Sequence, residues 1–237
     1  MPKILTVNAT PEPIAIDPAK TAVIVVDMQN DFGSKGGMFD RAGIDISGIQ
    51  RAVGPTAMVL AAARRMGMKV VYLKMGYRPD LSDLGTSDAK NRMLHLQRLA
   101  VGQMIKNPDG KEYRVLIRDT WGTDILAELN PHAEDVIMYK HRFSGFYQTD
   151  LDRVLKQGGI THLVVTGCTT SICVESTIRD AFFRDYRCVL LADCTSEPIA
   201  HDAPRSNHDA SLLLTELMFG WVSTSEKFVS AAEAIAA

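Results

Sequence analysis

The sequence predicts an α/β protein with an open, mostly parallel sheet and helices on both faces. Continuous runs of apolar and β-branched residues, typical of strands buried on both faces, alternate along the chain with segments of helical periodicity. Each strand and the helix after it span a few tens of residues, the spacing of a parallel crossover. These two observations indicate a parallel sheet that is covered by helices on both faces.

Five segments carry the strand pattern, and five carry a helical one. The predicted strands are Thr21–Asp27, Lys69–Leu73, Asp135–Tyr139, His162–Gly167 and Cys188–Ala192. The predicted helices are Ile49–Met66, Asp124–Leu129, Leu151–Gln157, Ile172–Arg184 and His208–Phe219. Residues 76–120 are polar and show no strong period, so they predict a long irregular segment such as an active-site wall.

Length and composition indicate one domain over residues 1–237. The chain is 46% hydrophobic, which suffices for a single sizeable core, and its formal net charge of -2 gives no reason to expect nucleic acid or an anionic membrane as partner. The start MPKILTVNAT lacks the pattern of a secretory signal, and no apolar run approaches the ~20 residues that span a membrane. A cytoplasmic location is therefore expected, where the four cysteines stay free thiols.

Chemically useful side chains follow three of the predicted strands. Asp27 ends the first strand, Lys140 follows the third, and Cys173 opens a helix after the fourth. Ligands of parallel sheets bind beyond the carboxyl ends of the strands, so an acid, a base and a thiol converge there. These are the residue types that nucleophilic catalysis requires.

Each of the three residues also has a purely structural interpretation. Cys173 could be a small buried hydrophobe, Lys140 a surface lysine at a strand end, and Asp27 a helix cap. As a nucleophile, Cys173 at the start of a helix is expected to have a lowered pKa. As a functional base, a half-buried Lys140 is expected to lose its charge easily.

Three segments together resemble the isochorismatase-like cysteine hydrolases. They are TAVIVVDMQNDF (Thr21–Phe32), YKHRFSGFYQTDLD (Tyr139–Asp152) and VVTGCTTSICVESTIRDAFFRDY (Val164–Tyr186). The resemblance runs from about Asp17 to Val229 and implies a Rossmann-like hydrolase fold. It is strongest toward the ureidoacrylate amidohydrolases and the biuret and triuret hydrolases.

The resemblance implies residue roles at matching positions. The family's nucleophile falls on Cys173, its lysine on Lys140 and its aspartate on Asp27. It also implies a cis peptide between Cys168 and Thr169, and an oxyanion site formed by the Thr169 and Cys173 amides. In the implied mechanism Asp27 takes the thiol proton, Lys140 stabilises the charge, and the thiolate attacks an amide carbonyl.

Five residues are expected to contact the substrate, a small ureido or carbamoyl amide. They are Phe32, Asn91, Arg142, Phe143 and Tyr147. Phe32 and Phe143 fit plain packing as well, and Arg142 fits either a carboxylate reader or a structural salt bridge. Asn91 matches an asparagine of the ureidoacrylate enzymes, whereas the segment GYRPDLSDL resembles the biuret hydrolases and favours biuret or triuret. Ureidoacrylate or another N-carbamoyl amide is the alternative.

No metal and no cofactor are expected. The nicotinamidases of this superfamily carry an Asp-x-His metal motif after the second strand, where this chain has GYRPD (Gly76–Asp80) without a histidine. The resemblance also suggests a homo-oligomer, with the Trp221 region and the C-terminal helix as interface. Two rivals remain: a binding protein on the same fold, and a redox enzyme that uses the cysteines.

Overall fold

Ten strands are present in the computed structural model, which describes residues 4–200 and 206–234. They are β1 (Leu5–Val7), β2 (Ile14–Ile16), β3 (Thr21–Val26), β4 (Lys69–Met75), β5 (Met104–Lys106), β6 (Glu112–Arg114), β7 (Val136–Lys140), β8 (His162–Cys168), β9 (Arg187–Ser196) and β10 (Gly220–Ser223). Six of them form one sheet in the order β10-β9-β8-β3-β4-β7, and every neighbouring pair is parallel. The predicted parallel sheet is confirmed.

The helices lie on both faces of this sheet. They are α1 (Asn30–Gly33), α2 (Met38–Arg41), α3 (Ser47–Arg65), α4 (Lys90–Gln97), α5 (Leu151–Gln157), α6 (Glu175–Phe182), α7 (Asn207–Leu214) and α8 (Ser225–Ala234). Short 3-10 turns occur at Pro18–Lys20, Trp121–Thr123 and Ala127–Leu129, and π-helical turns at Thr170–Val174 and Thr215–Phe219. Among the described residues, no helix combines the length and apolar character needed to cross a membrane.

Two hydrophobic cores follow from the alternation of side chains along the central strand. All six residues of β3 are buried. Val23 and Val25 point into a core shared with α3 and α8, while Ile24 and Val26 point into a second core shared with α5 and α6. A strand that is covered on both faces is apolar at nearly every position, which is why TAVIVV was recognisable in the sequence, and the hydroxyl of its one polar residue, Thr21, donates to the carbonyl of Asp17.

Three predicted helices differ from the observed ones. The predicted helix Asp124–Leu129 is wrong, because only the 3-10 turn Ala127–Leu129 forms there. The predicted helix Ile172–Arg184 begins instead with a π-helical turn and continues as α6. The predicted helix His208–Phe219 is divided between α7 and a second π-helical turn.

Residues 76–120 are more regular than expected. They contain the helix α4 and the antiparallel pair of β5 and β6. Of the eight residues of α4, His95 is buried, and the others are half-buried or exposed. The helix therefore lacks the wide apolar stripe that marks helices in sequence. The strands β1, β2 and β10 were also missed, since each has only three or four residues.

Candidate active site

Three strand ends bring Asp27, Lys140 and Cys173 to the same edge of the sheet. Asp27 directly follows β3, whose last residue Val26 is paired with Leu73 on one side and Gly167 on the other. Lys140 is the last residue of β7 and is paired with Met75. Cys173 lies in the π-helical turn that begins two residues after β8. The parallel register therefore produces the convergence predicted from the sequence.

The three side chains interact in a buried cluster. Lys140 Nζ lies 2.7 Å from Asp27 Oδ2, and both side chains have 0% exposure. Cys173 interacts with both of these groups. Lys140 Nζ also donates to the carbonyl of Arg142 at 3.3 Å and contacts Met75 Sδ at 3.6 Å. Thiol, ammonium and carboxylate thus form one connected group.

Burial raises the proton affinity of the two acids in this cluster. It raises the pKa of Asp27, and the charge of Lys140 only partly offsets this effect. Burial likewise raises the pKa of Cys173, while Lys140 lowers it and Asp27 raises it further. The expectation that the start of a helix lowers the pKa of Cys173 is wrong, because desolvation of the thiolate outweighs any helix effect. In the resting state, the sulfur therefore holds its proton.

Lys140 keeps its charge. Burial by itself would lower the pKa of Lys140, but the neighbouring Asp27 and Cys173 raise it above the ordinary value. The expectation that this lysine loses its charge easily is therefore wrong. A permanent ammonium beside the thiol instead favours the thiolate once the proton has moved to Asp27.

Local backbone geometry places Asp27. It has a left-handed backbone with φ of 53°, which is uncommon for a residue with a side chain and recurs at functional sites. Its N–H donates to the carbonyl of Leu73 at 2.9 Å. Two residues later the buried Gln29 amide bonds both the N–H and the carbonyl of Met75, at 2.8 and 2.9 Å. Gln29 therefore fixes the end of β3 against the end of β4.

The π-helical turn that carries Cys173 is held by several hydrogen bonds to backbone groups. The cis peptide between Cys168 and Thr169 is present, and the Thr169 carbonyl accepts hydrogen bonds from the N–H groups of Ile172 and Val174, both at 3.2 Å. Glu197, just beyond β9, accepts from the N–H and hydroxyl of Ser171. The turn that carries Cys173 is thereby tied to the end of the neighbouring strand.

Cys173 lines a partly open cavity of about 310 Å³. Most of the lining is apolar and includes Phe32, Met38, Phe39, Met75, Leu94 and Phe143. Thr169 lies beside Cys173 in the wall, and His95 and Arg98 are polar members of the same lining. The cavity is large enough for a small planar amide.

The five predicted substrate contacts divide into two groups. Phe32 and Phe143 line the cavity, whereas Asn91, Arg142 and Tyr147 are not part of its lining. The Asn91 amide lies near the Tyr77 hydroxyl and the Leu84 carbonyl. Arg142 donates to two carbonyls, those of Asp83 and His141, and its guanidinium lies 5.5 Å from the centre of the Tyr147 ring. Direct substrate contact by these three residues stays a hypothesis.

Sequence reasoning missed Gln29, His95 and Arg98. Gln29 was within the recognised DMQNDF segment, and a buried polar residue next to a strand end was an available signal. His95 and Arg98 lie in or next to α4, whose pattern gave no helix, so their common orientation could not be inferred. In the described part of the chain, no group of three or more His, Cys, Asp or Glu side chains is arranged to hold a metal ion, and metal independence stays a prediction.

A thiol in contact with an ammonium and a carboxylate, beyond the strand ends of a parallel sheet, defines the class of cysteine hydrolases. Comparison with known proteins agrees with this class. The chain belongs to the isochorismatase family, whose isochorismatase domain matches residues 21–227. A ureidoacrylate amidohydrolase, RutB, from Methylobacterium radiotolerans is 42% identical over 223 residues, which cover 94% of this chain and 83% of that one.

Solved structures show the same relationship. A cysteine hydrolase from Pseudomonas syringae pv. phaseolicola superposes with a TM-score of 0.77 at 31% identity, covering 93% of this chain and 95% of that chain. An N-carbamoylsarcosine amidase from Thermoplasma acidophilum superposes with a TM-score of 0.64 at 27% identity, covering 87% and 97% of the two chains. The prediction of an isochorismatase-like cysteine hydrolase acting on C–N bonds is confirmed at the level of family and reaction class.

Proposed function

We propose that the protein hydrolyses a linear ureido compound that carries a carboxylate, of the ureidoacrylate type, through a covalent intermediate on Cys173. The observation that carries this proposal is the buried cluster of Cys173, Lys140 and Asp27, in which Cys173 lines a mostly apolar cavity. The 42% identity to a ureidoacrylate amidohydrolase supports the choice of substrate.

The residues have the following roles in this proposal. Asp27 accepts the thiol proton, for which its raised pKa makes it a suitable base. Lys140 stabilises the thiolate, which attacks the ureido carbonyl. The N–H groups of Thr169 and Cys173 bind the oxyanion that develops there.

Collapse of the tetrahedral intermediate breaks the C–N bond. The leaving amine takes the proton held by Asp27, and a carbamoyl thioester remains on Cys173. Asp27 then deprotonates a water molecule, which attacks the thioester and regenerates the thiol. The released carbamate decomposes to ammonia and carbon dioxide in solution. Asp27 therefore acts as the acid-base group in both half-reactions.

The relatives favour ureidoacrylate over biuret or triuret. The curated relative is named for ureidoacrylate, and a structural neighbour is named for an N-carbamoyl compound. The preference for biuret or triuret, which was based on the segment GYRPDLSDL, has no support from these relatives. We therefore adopt ureidoacrylate, which the sequence analysis gave as the alternative substrate.

Steady-state kinetics with four substrates tests the proposal. We expect kcat/KM to be highest for ureidoacrylate, lower for biuret and triuret, and about 10³-fold lower for nicotinamide, which lacks a ureido nitrogen. A preference for biuret or triuret would overturn the ureidoacrylate assignment but retain the ureido class. A preference for nicotinamide would overturn the ureido class, and a complete lack of turnover would favour a binding protein.

A further inference from the structure

One side of α4 and its C-terminal end faces the cavity. His95 and Arg98 are three residues apart, so their side chains leave the helix on the same side. Both line the cavity together with the neighbouring Leu94 and Leu99. The mechanism proposed above gives neither polar residue a role.

Arg98 supplies a positive charge to a mostly apolar wall. Of the described residues in the lining, Arg98 is the one with a permanent charge, and none is a carboxylate. No side-chain hydrogen bond or ion pair of Arg98 is found with the described part of the chain. By contrast, the nearby Arg92 and Arg142 guanidinium groups bond backbone carbonyls. Arg98 is an exposed residue that lines the cavity, so its guanidinium is available to a ligand, and an arginine can bind a carboxylate through two parallel charge-assisted hydrogen bonds.

His95 presents an acceptor to the same cavity. Its Nδ1 lies 2.6 Å from the carbonyl of Asn91. Because a carbonyl only accepts, Nδ1 carries the proton and Nε2 of the neutral ring is left as an acceptor. Burial lowers the pKa of His95, as do the charges of Lys140 and Arg142, so the ring stays neutral. An acceptor at this position matches the N–H groups of a ureido compound.

We propose that His95 of α4 and Arg98, the residue directly after this helix, recognise the substrate, with Arg98 binding its carboxylate and His95 Nε2 accepting a hydrogen bond from a ureido N–H. This inference rests on the proposed function, because it assumes a ureido carboxylate whose carbonyl lies at Cys173. It assigns carboxylate recognition to Arg98 rather than to Arg142, the residue suggested by the sequence. Specificity for the carboxylate then comes from residues 90–98 and not from the strand ends.

The decisive comparison uses ureidoacrylate and its neutral primary amide as substrates. In Arg98→Met, we expect kcat/KM for ureidoacrylate to fall about 100-fold, mainly through KM, because a charge-assisted bond is lost. The value for the amide should change less than about threefold, and Arg98→Lys should retain part of the activity on ureidoacrylate. Gln97→Met is the matched control, because Gln97 is exposed on the same helix and does not line the cavity.

Three outcomes would overturn the role of Arg98. They are an equal loss on both substrates in Arg98→Met, no loss on either, or a selective loss on ureidoacrylate in Arg142→Met instead. Calorimetric binding of ureidoacrylate to Cys173→Ala, with and without Arg98→Met, gives a readout that needs no turnover. If the wild type neither hydrolyses nor binds ureidoacrylate, the proposed function fails and the inference fails with it. If the wild type prefers ureidoacrylate and Arg98→Met keeps that preference, the inference alone fails.

The role of His95 has a separate signature. Both substrates contain the ureido group, so His95→Phe should lower kcat/KM for both by about tenfold. His95→Gln, whose side-chain carbonyl can accept an N–H, should recover part of this loss. A loss that is confined to ureidoacrylate, or an unchanged kcat/KM in His95→Phe, would contradict the assignment.

Discussion

At the scale of single residues, the buried ion pair of Asp27 and Lys140 is the feature whose desolvation costs the most free energy. Both side chains are fully inaccessible, and their charged atoms lie 2.7 Å apart. Removing two charges from water is costly, and an apolar pair of the same volume is often at least as stable. Stability therefore does not explain this pair, whereas its contact with Cys173 does.

Replacing Asp27 tests this reading. In Asp27→Asn, the buried Lys140 ammonium loses its counterion, so we expect the free energy of unfolding to fall by about 3–5 kcal/mol. Loss of the base should lower kcat by about 10³-fold. Urea denaturation and an ammonia assay measure the two effects. The control is Asp150→Asn, at an exposed pair with Arg153, which should change neither quantity. Full activity of Asp27→Asn would exclude Asp27 as the base.

The catalytic candidates were predictable at this scale, but the proposed substrate readers were not. Asp27 and Cys173 follow strands, and Lys140 ends one, that are recognisable from their apolar and β-branched residues, and ligands of parallel sheets bind at strand ends. His95 and Arg98 reach the cavity because of how residues 76–120 pack. The sequence of this segment has no periodicity from which that packing could be predicted. The reversed pKa directions of Cys173 and Lys140 also depend on burial that the sequence does not show.

At the scale of elements, Asp31 links three segments around the cavity. It lies in α1, and its carboxylate accepts hydrogen bonds from the N–H of Met38, the hydroxyl of Tyr113 and the N–H of Leu116, at 3.1, 2.9 and 2.7 Å. These partners belong to α2, to β6 and to the segment after it. Gly122 packs so closely on this carboxylate that a Cβ would clash with it. Asp31 therefore anchors the irregular segment over the sheet edge.

The pH dependence of stability reports on this anchor. Burial raises the pKa of Asp31 from 3.8 to about 6, although its three hydrogen bonds lower it. The stability gained from protonating folded Asp31 is fully present below pH 3.8 and is lost as pH rises through 6. In Asp31→Asn this dependence should disappear. The wild type should therefore gain roughly 1 kcal/mol relative to the variant between about pH 7 and pH 5. Urea denaturation at both pH values measures the free energy of unfolding of the wild type and of Asp31→Asn. If the difference between the two proteins is the same at both pH values, the prediction is contradicted.

Elements were predictable where one physical signal dominates. The strands β3, β4, β8 and β9 were found because their mostly buried positions require apolar residues, whereas the edge strand β7 was found from its apolar and β-branched residues, although Ile137 is exposed. The π-helical turn at Thr170–Val174 was taken for the start of an ordinary helix, because the two differ by one residue per hydrogen-bonded ring and not in composition. Gly167, three residues before this turn, has a φ of 115°, and a Cβ at this position would clash with the backbone of Val26. A residue with a side chain would therefore not fit there.

At the scale of the whole molecule, several exposed hydrophobic side chains come from α6, α7 and the π-helical turn Thr215–Phe219. The exposed hydrophobic side chains include Phe182, Phe183, Leu213, Leu217 and Met218. A groove beside them is lined by Phe183, Leu217 and Trp221, among others. Charged residues also line this groove, among them Asp185, Arg187 and Glu216. An apolar patch with a polar rim is the pattern expected of a protein interface. Its position agrees with the interface expected near Trp221, and the homo-oligomer stays a prediction.

Light scattering after size-exclusion chromatography tests the oligomer. We expect the wild type to exceed the mass of one chain at micromolar concentration. Met218→Glu should shift it toward the monomer, because a buried interface does not tolerate an unpaired carboxylate. Met104→Glu replaces an equally exposed methionine in β5 and should leave the mass unchanged. A monomeric wild type would refute the oligomer.

The central claim is that Cys173 is the nucleophile, and alanine substitution tests it most directly. Cys188 is the matched control, because it is also a buried free thiol but lies in β9, away from the cavity. Ammonia release from ureidoacrylate would be measured for both variants, with circular dichroism to verify the fold. We predict that Cys173→Ala folds normally and shows no measurable turnover, while Cys188→Ala keeps most of the activity. Substantial turnover by a folded Cys173→Ala would contradict the account.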